Sequence, residues 1–158
     1  EEIMKLNPEG VMLSNGPGDP KDVPEAVETV KKIVKVSPTF GICLGHQILA
    51  LAFGGNTYKM KFGHRGGNHG VYDIEKDKAY ITAQNHGYAV EKESIEDKNL
   101  IITHVNLNDN TVEGIRHKFL PVFSVQFHPE GAPGPADSSY LFDKFIDCME
   151  QKLKEQAM

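Results

Sequence analysis

The stretch Phe40-Gly41-Ile42-Cys43-Leu44-Gly45-His46-Gln47 constrains this chain more than any other. Its apolar start predicts a buried strand, and its second half predicts a helix opened by Leu44, with Cys43 at the corner between them. Gly41 and Gly45 flank a turn too tight for side chains, so neighbouring backbone can come close. Gly-x-Cys-x-Gly is the thiol form of a nucleophile elbow, which holds its nucleophile in a strained conformation with the reactive atom pointing out. The positive end of the helix then lies beneath the sulfur and favours the thiolate. A lone cysteine on an apolar strand is more often a small core residue. The paired glycines and the abrupt strand-to-helix switch favour the elbow.

A cysteine nucleophile needs a base, and the base needs an orienting group. Both residue types stand in Phe127-His128-Pro129-Glu130. Val122 to Phe127 reads as a strand, so His128 lies at its end. Side chains two apart on extended backbone share a face, and Pro129 biases His128 towards extended geometry. His128 and Glu130 can therefore point the same way, the carboxylate holding the imidazole. Cys43, His128 and Glu130 make a candidate triad.

The rest of the chain reads as alternating elements. Residues 1–7 predict the tail of a helix, stopped by Pro8 and Gly10, and Val11 to Ser14 a short strand. Asn15-Gly16-Pro17-Gly18-Asp19-Pro20 is a glycine loop, either an ordinary turn or part of a site. Asp22 to Glu25 has capping-box spacing, opening a helix that carries Val27, Val30 and Val34 and breaks at Ser37-Pro38. Strand, helix, strand, helix in this order argues for a parallel α/β sheet with ligands at the carboxyl ends of the strands. From Asn56 to Val90 the texture changes to short β segments, with a hairpin turning at Glu75-Lys76-Asp77. Lys59, Lys61, His64, Arg65 and His69 form a local basic patch, read as solvated surface. It is a poor metal site, because no carboxylate or cysteine completes the two histidines. Gln84-Asn85-His86-Gly87-Tyr88 reads as a polar loop between strands. Further strands are expected at 100–105 and 112–117, and a closing helix at 138–155 with Leu141, Phe142, Phe145, Met149 and Leu153 on its apolar stripe. His46 and His86 read as structural, and Cys148 as inert.

With 158 residues the chain suits one domain with a sizeable core. Its net charge of −5 gives no electrostatic case for nucleic acid. No apolar run approaches membrane-spanning length, and the first residues do not read as a signal peptide. Two cysteines, in unrelated settings, do not suggest a disulfide framework, so a reducing, cytoplasmic setting is expected.

Gly-Ile-Cys-Leu-Gly-His-Gln with His-Pro-Glu far downstream resembles the class I glutamine amidotransferases. The Ser14–Pro20, Lys61–Asn68, Gln84–Tyr88 and Ser124–Glu130 stretches, with Gly134-Pro135, look like the glutaminase (small) subunits of carbamoyl phosphate synthases. This resemblance implies a three-layer, flavodoxin-like α/β fold, with a mostly parallel central sheet and a smaller antiparallel β portion. Residues 1–158 would be the glutaminase domain without its first strand-helix-strand and without the family's separate N-terminal domain. It implies Cys43, His128 and Glu130 as catalytic residues and the Gly16 and Leu44 N–H groups as the oxyanion hole. Gly16, Gly18, Leu44, Gln47, Asn85, Gly87 and Tyr88 would contact L-glutamine. No metal and no cofactor are expected in this chain. ATP and magnesium would serve the large, synthetase subunit, which takes ammonia through a tunnel and makes carbamoyl phosphate for arginine and pyrimidine synthesis. The basic patch would lie near that partner. The glutaminase of an anthranilate or GMP synthase, a non-catalytic interaction module and a Cys-His peptidase are the rival readings.

Overall fold

The computed structural model describes residues 2–16, 18–129 and 140–157. They form α1 (Glu2–Lys5), β1 (Val11–Leu13), α2 (Pro24–Ile33), β2 (Thr39–Ile42), α3 (Leu44–Ala52), β3 (Thr57–Asp73), β4 (Lys78–Val90), β5 (Leu100–Asn106), β6 (Val112–His117), β7 (Val122–Val125) and α4 (Tyr140–Ala157). The strands make one seven-stranded sheet in the order β1-β2-β7-β6-β5-β3-β4. β1, β2 and β7 run parallel, and the remaining pairings are antiparallel. This is an α/β fold with a mixed sheet, parallel where the elbow sits. No helix of the described residues is long and apolar enough to cross a membrane.

β2 is buried at every position because helices cover both of its faces. On one face Phe40 stacks on Phe123 with centroids 4.6 Å apart, and Phe142 and Phe145 of α4 close over the pair. On the other face α3 crosses the sheet, and Ile48 and Leu49 pack with Val30 and Val34 of α2 and Val122 of β7. Each side chain buried in these layers contributes about 1.5–3 kcal/mol. Gly41 sits under α3, where a Cβ would meet Leu49 Cδ1 at 2.7 Å and the Gly45 backbone at 2.8 Å. At Gly45 a Cβ would run into the Leu13 carbonyl oxygen. Both glycines are therefore required for α3 to lie this close to the sheet.

Three local expectations are corrected. The capping box is not formed: Asp22 belongs to a 3₁₀ turn over Pro20–Asp22, capped by Asp19, and α2 starts at Pro24 behind Val23 without a side-chain cap. The segment after Asn56 is not a set of short strands but one 17-residue strand, β3. It pairs with β4 through two register shifts, and Gly63 (φ 72°) and Gly66 (φ 117°) supply the left-handed backbone near them. Gln84 to Tyr88 is likewise strand, because His64, Arg65 and Gly66 of β3 pair with His86, Asn85 and Gln84. The hairpin turn itself lies at Glu75-Lys76-Asp77, with Asp77 at φ 51°.

A buried polar clasp ties the start of α4 to the sheet. The Tyr140 hydroxyl donates to Asp73, and His104 Nε2 lies 3.0 Å from the hydroxyl and 3.3 Å from the carboxylate. Burial alone would raise Asp73, but the bonds from His104 and Tyr140 outweigh it and hold the carboxyl well below the usual range. Burial and the adjacent Asp73 push the Tyr140 phenol well up. Cys148, half-buried on α4, has its thiol pushed up by burial, consistent with an inert role.

Candidate active site

Cys43 is the residue between β2 and α3, and it adopts φ 55° and ψ −105°. A non-glycine residue there carries about 1–3 kcal/mol of strain that the surrounding structure must hold. The hold is visible. The Cys43 N–H donates to Val125 O at 2.9 Å, its carbonyl accepts from Gln47 N at 3.2 Å, and α3 is locked by the close glycines. The sulfur lies 3.9 Å from Asn85 O and 3.7 Å from Gln126 Nε2. Neither Cys43 nor Cys148 is in a disulfide.

Cys43 opens on a cleft of about 720 Å³ at the carboxyl ends of the parallel strands. Gly16 and Gly18 line it from the loop after β1, Leu44 and Gln47 from α3, and Asn85, Gly87 and Tyr88 from β4. The structure thus brings together every glutamine-contact residue expected from sequence. A Cβ on Gly16 would meet Leu44 Cδ2 at 2.8 Å, so the Gly16 loop packs against the Leu44 side chain. Gly18 has φ 93°, open to glycine and strained for other residues. Leu44 begins α3, where backbone N–H groups have no intrahelical acceptor and the helix dipole favours negative charge.

His128 follows β7, the strand beside β2, and its N–H donates to Ala83 O of β4 at 2.9 Å. Cys43 and His128 therefore leave adjacent parallel strands at the same end. Glu130 lies outside the described residues, as do Pro17 and residues 131–139.

Gln47 is buried: its Nε2 donates to Tyr88 O at 2.8 Å and to Gln126 Oε1 at 3.0 Å. His46, next to it on α3, lies 2.7 Å from Ser124 Oγ, and burial pushes its pKa down to about 3. Its structural reading holds. His86, also read as structural, is buried with both ring nitrogens partnered and borders the cleft. Burial lowers it to about 4, and its Nδ1 lies 2.8 Å from Tyr88 O.

Sequence reasoning missed Gln126, Lys59 and Arg65 as residues of this region. Gln126 is a polar residue inside the apolar run Val122 to Phe127, and that break in pattern was the available signal. Lys59 and Arg65 were read as solvated surface, yet they line the cleft.

The metal reading made from sequence concerned His64 and His69, and the structure groups His64 differently. His64, His86 and Glu113 are all buried and offer ligand atoms within 4.8 Å of one another. Most of these atoms are already committed to hydrogen bonds. His64 Nε2 lies 2.7 Å from Asp109 Oδ2, both His86 nitrogens have partners at 2.8 Å, and Glu113 Oε2 lies 2.8 Å from the Gln84 amide and accepts from Asn106 at 2.9 Å. A hydrogen-bonded network accounts for the cluster.

An elbow cysteine at a helix N-terminus, facing a cleft, has the arrangement that thiol acyl transfer requires. The glutamine amidotransferase class-I family model matches residues 1–148, and the chain belongs to this family. It is 69% identical over 146 residues to the carbamoyl phosphate synthase small chain of Clostridium acetobutylicum, covering 92% of this chain and 42% of that protein. It is 62% identical over 149 residues to the small chain of Caldanaerobacter subterraneus, covering 94% and 42%. The chain thus spans about 42% of the length of these relatives. The glutaminase domain of Trypanosoma brucei CTPS, solved with bound acivicin, shares the fold at a TM-score of 0.72 and 20% identity, covering 95% of this chain and 75% of that one. A Thermotoga maritima glutamine amidotransferase does so at 0.63 and 18%, covering 93% and 65%.

Proposed function

We propose that residues 1–158 are the glutaminase domain of a carbamoyl phosphate synthase small chain. The observation that carries the reading is the strained Cys43 at the N-terminus of α3, opening on a cleft walled by Gly16, Gln47 and Tyr88. The Cys43 thiolate attacks the side-chain amide carbon of L-glutamine. Negative charge gathers on the amide oxygen, where the Gly16 and Leu44 N–H groups stabilise it. His128 gives its proton to the departing nitrogen, releasing ammonia and leaving a γ-glutamyl thioester. The neutral His128 then takes a proton from water, the hydroxide attacks the thioester, and glutamate leaves with Cys43 restored. Glu130 orients His128.

No step needs a metal or an organic cofactor. The ammonia goes to a large, synthetase partner that uses ATP, magnesium and bicarbonate. The high identity to small chains supports this assignment, and a cytoplasmic setting follows from it. The test is glutamate release by the full-length protein with and without a synthetase subunit. Glutamine hydrolysis that rises with the partner supports the reading. Absence of hydrolysis in both preparations overturns it.

A further inference from the structure

His86, Gln84 and Glu113 form a file from the cleft wall into the interior. One end of the Gln84 amide lies 2.8 Å from His86 Nε2. The other lies 2.8 Å from Glu113 Oε2 and 3.1 Å from Thr82 Oγ1. At the cleft end, His86 Nδ1 lies 2.8 Å from Tyr88 O, the carbonyl that also receives Gln47 Nε2. At the inner end, Asn106 Nδ2 donates to Glu113 Oε2 at 2.9 Å. Asn106 cannot turn around, because its Oδ1 accepts the N–H groups of Asn108 and Asp109.

Counting protons along the file leaves two solutions. A neutral imidazole has one N–H, and Tyr88 O claims it. His86 Nε2 then needs a donor, which the Gln84 amide supplies when its NH₂ end faces His86; the two ends are assigned by bonding, not observed. Its oxygen then faces Glu113 at 2.8 Å, where a carboxylate would set acceptor against acceptor and a carboxylic acid donates. The Thr82 hydroxyl donates to His69 O at 2.7 Å when the Gln84 NH₂ faces it, and must turn its hydrogen to the Gln84 oxygen in the neutral arrangement, at the cost of that bond. The other solution, imidazolium and carboxylate, buries two charges with an amide between them.

Burial disfavours both charges of the second solution, pushing His86 down to about 4 and, against the hydrogen bonds from Asn106 and Gln84, Glu113 up to about 7. Of the surrounding groups, His64 would favour a Glu113 carboxylate when protonated, its Nδ1 lying 3.7 Å from Oε2, and the others oppose the charged pair. Positive charge on His64, His69 or His128 further disfavours a charged His86, and Asp109 further raises Glu113. Glu113 Oε1 is buried without a partner among the described residues, which costs less in an acid than in an anion.

We propose that Glu113 is a positioning residue for the cleft: as an uncharged acid it fixes, through Gln84, the His86 tautomer that pins the Tyr88 carbonyl. The kinetic part rests on the cleft being a glutamine pocket. The protonation part does not.

The test uses the full-length protein and the variants Glu113→Gln and Glu113→Ala. At pH ~5.5 and without substrate, below the raised Glu113 value of about 7, the infrared spectrum of the parent minus Glu113→Gln shows the carbonyl stretch of a buried carboxylic acid. Nitrogen-15 NMR shows His86 neutral, with its proton on Nδ1. With glutamine, Glu113→Ala raises KM about tenfold with a smaller change in kcat, because it leaves buried amide groups unpaired. Glu113→Gln keeps an N–H to donate to Gln84, although that nitrogen cannot accept from Asn106, and so rescues part of that loss. No acid band in the parent, a cationic His86, metal retained stoichiometrically by the purified protein, or a Glu113→Gln variant as impaired as Glu113→Ala each overturns the proposal. The spectroscopic results stand if the alanine variant fails to fold or if glutamine is not the substrate.

Discussion

Gln126 Nε2 lies 3.7 Å from Cys43 Sγ, and the same amide group is held in place because Gln126 Oε1 accepts from Gln47 Nε2 at 3.0 Å. An amide donor fixed beside a sulfur favours the thiolate over the thiol. Gln126→Leu is expected to slow alkylation of Cys43 by iodoacetamide near neutral pH and to lower kcat/KM about tenfold, the effect of losing one charge-assisted hydrogen bond. Unchanged alkylation would remove Gln126 from the site.

Gly45→Ala forces α3 away from Leu13 O, and nothing on either backbone can yield without moving the elbow. Overpacking of this kind typically costs about 1–3 kcal/mol, so urea unfolding should show a loss in that range. Activity should fall further than stability does, because Leu44 and Cys43 move with the helix. A fully active, equally stable alanine variant would mean that the helix has room that the structure denies it.

Acid should destabilise the fold through His46 and His86. Burial lowers them from an ordinary 6.5 to about 3 and about 4, so the unfolded chain binds protons that the folded state refuses as pH falls below about 6.5. Glu113 acts in the opposite sense. Raised from 4.5 to about 7, it favours the folded state fully below about 4.5, and that contribution fades as pH rises towards 7. Between about 5 and 6.5, two sites therefore oppose one. Removing Glu113's titration with Glu113→Gln should make the loss of stability on acidification about twice as steep. Denaturant midpoints measured across this range check it, and equal slopes for parent and variant would contradict it.

His128→Ala should abolish turnover, since it removes the group that carries the proton, a role worth about 10²–10⁴-fold. Glu130→Gln should cost less, because an orienting carboxylate transfers no proton itself. Rates of glutamate release for both variants, with folding checked by circular dichroism, separate the roles. Equal and total loss would count against the division.

The elbow was legible because its chemistry and its packing demand the same residues. Gly41 and Gly45 are visible as letters, and each answers to one close backbone approach. The Gln84 to Tyr88 stretch was misread because polar residues beside glycine look like a loop. Only the partner strand, with its bulges near Gly63 and Gly66, makes them strand, and pairing across the sheet is not local information. Asp22 and Glu25 had capping-box spacing, but Pro20 tightened the chain into a 3₁₀ turn and moved the cap to Asp19. Glu113 gave no sequence signal. Its meaning depends on Asn106 of β5 and on Gln84 and His86 of β4, which the sheet brings to Glu113 of β6 at one buried point.

The central claim is that Cys43 carries the acyl group of glutamine. The direct measurement is acid quench of the full-length protein during turnover with glutamine, followed by peptide mass spectrometry. The account predicts a γ-glutamyl adduct on the peptide containing Cys43, absent in Cys43→Ala, with glutamate release lost in that variant. Glutamine hydrolysis at the parent rate by Cys43→Ala, with no adduct on the parent's Cys43 peptide, would contradict it.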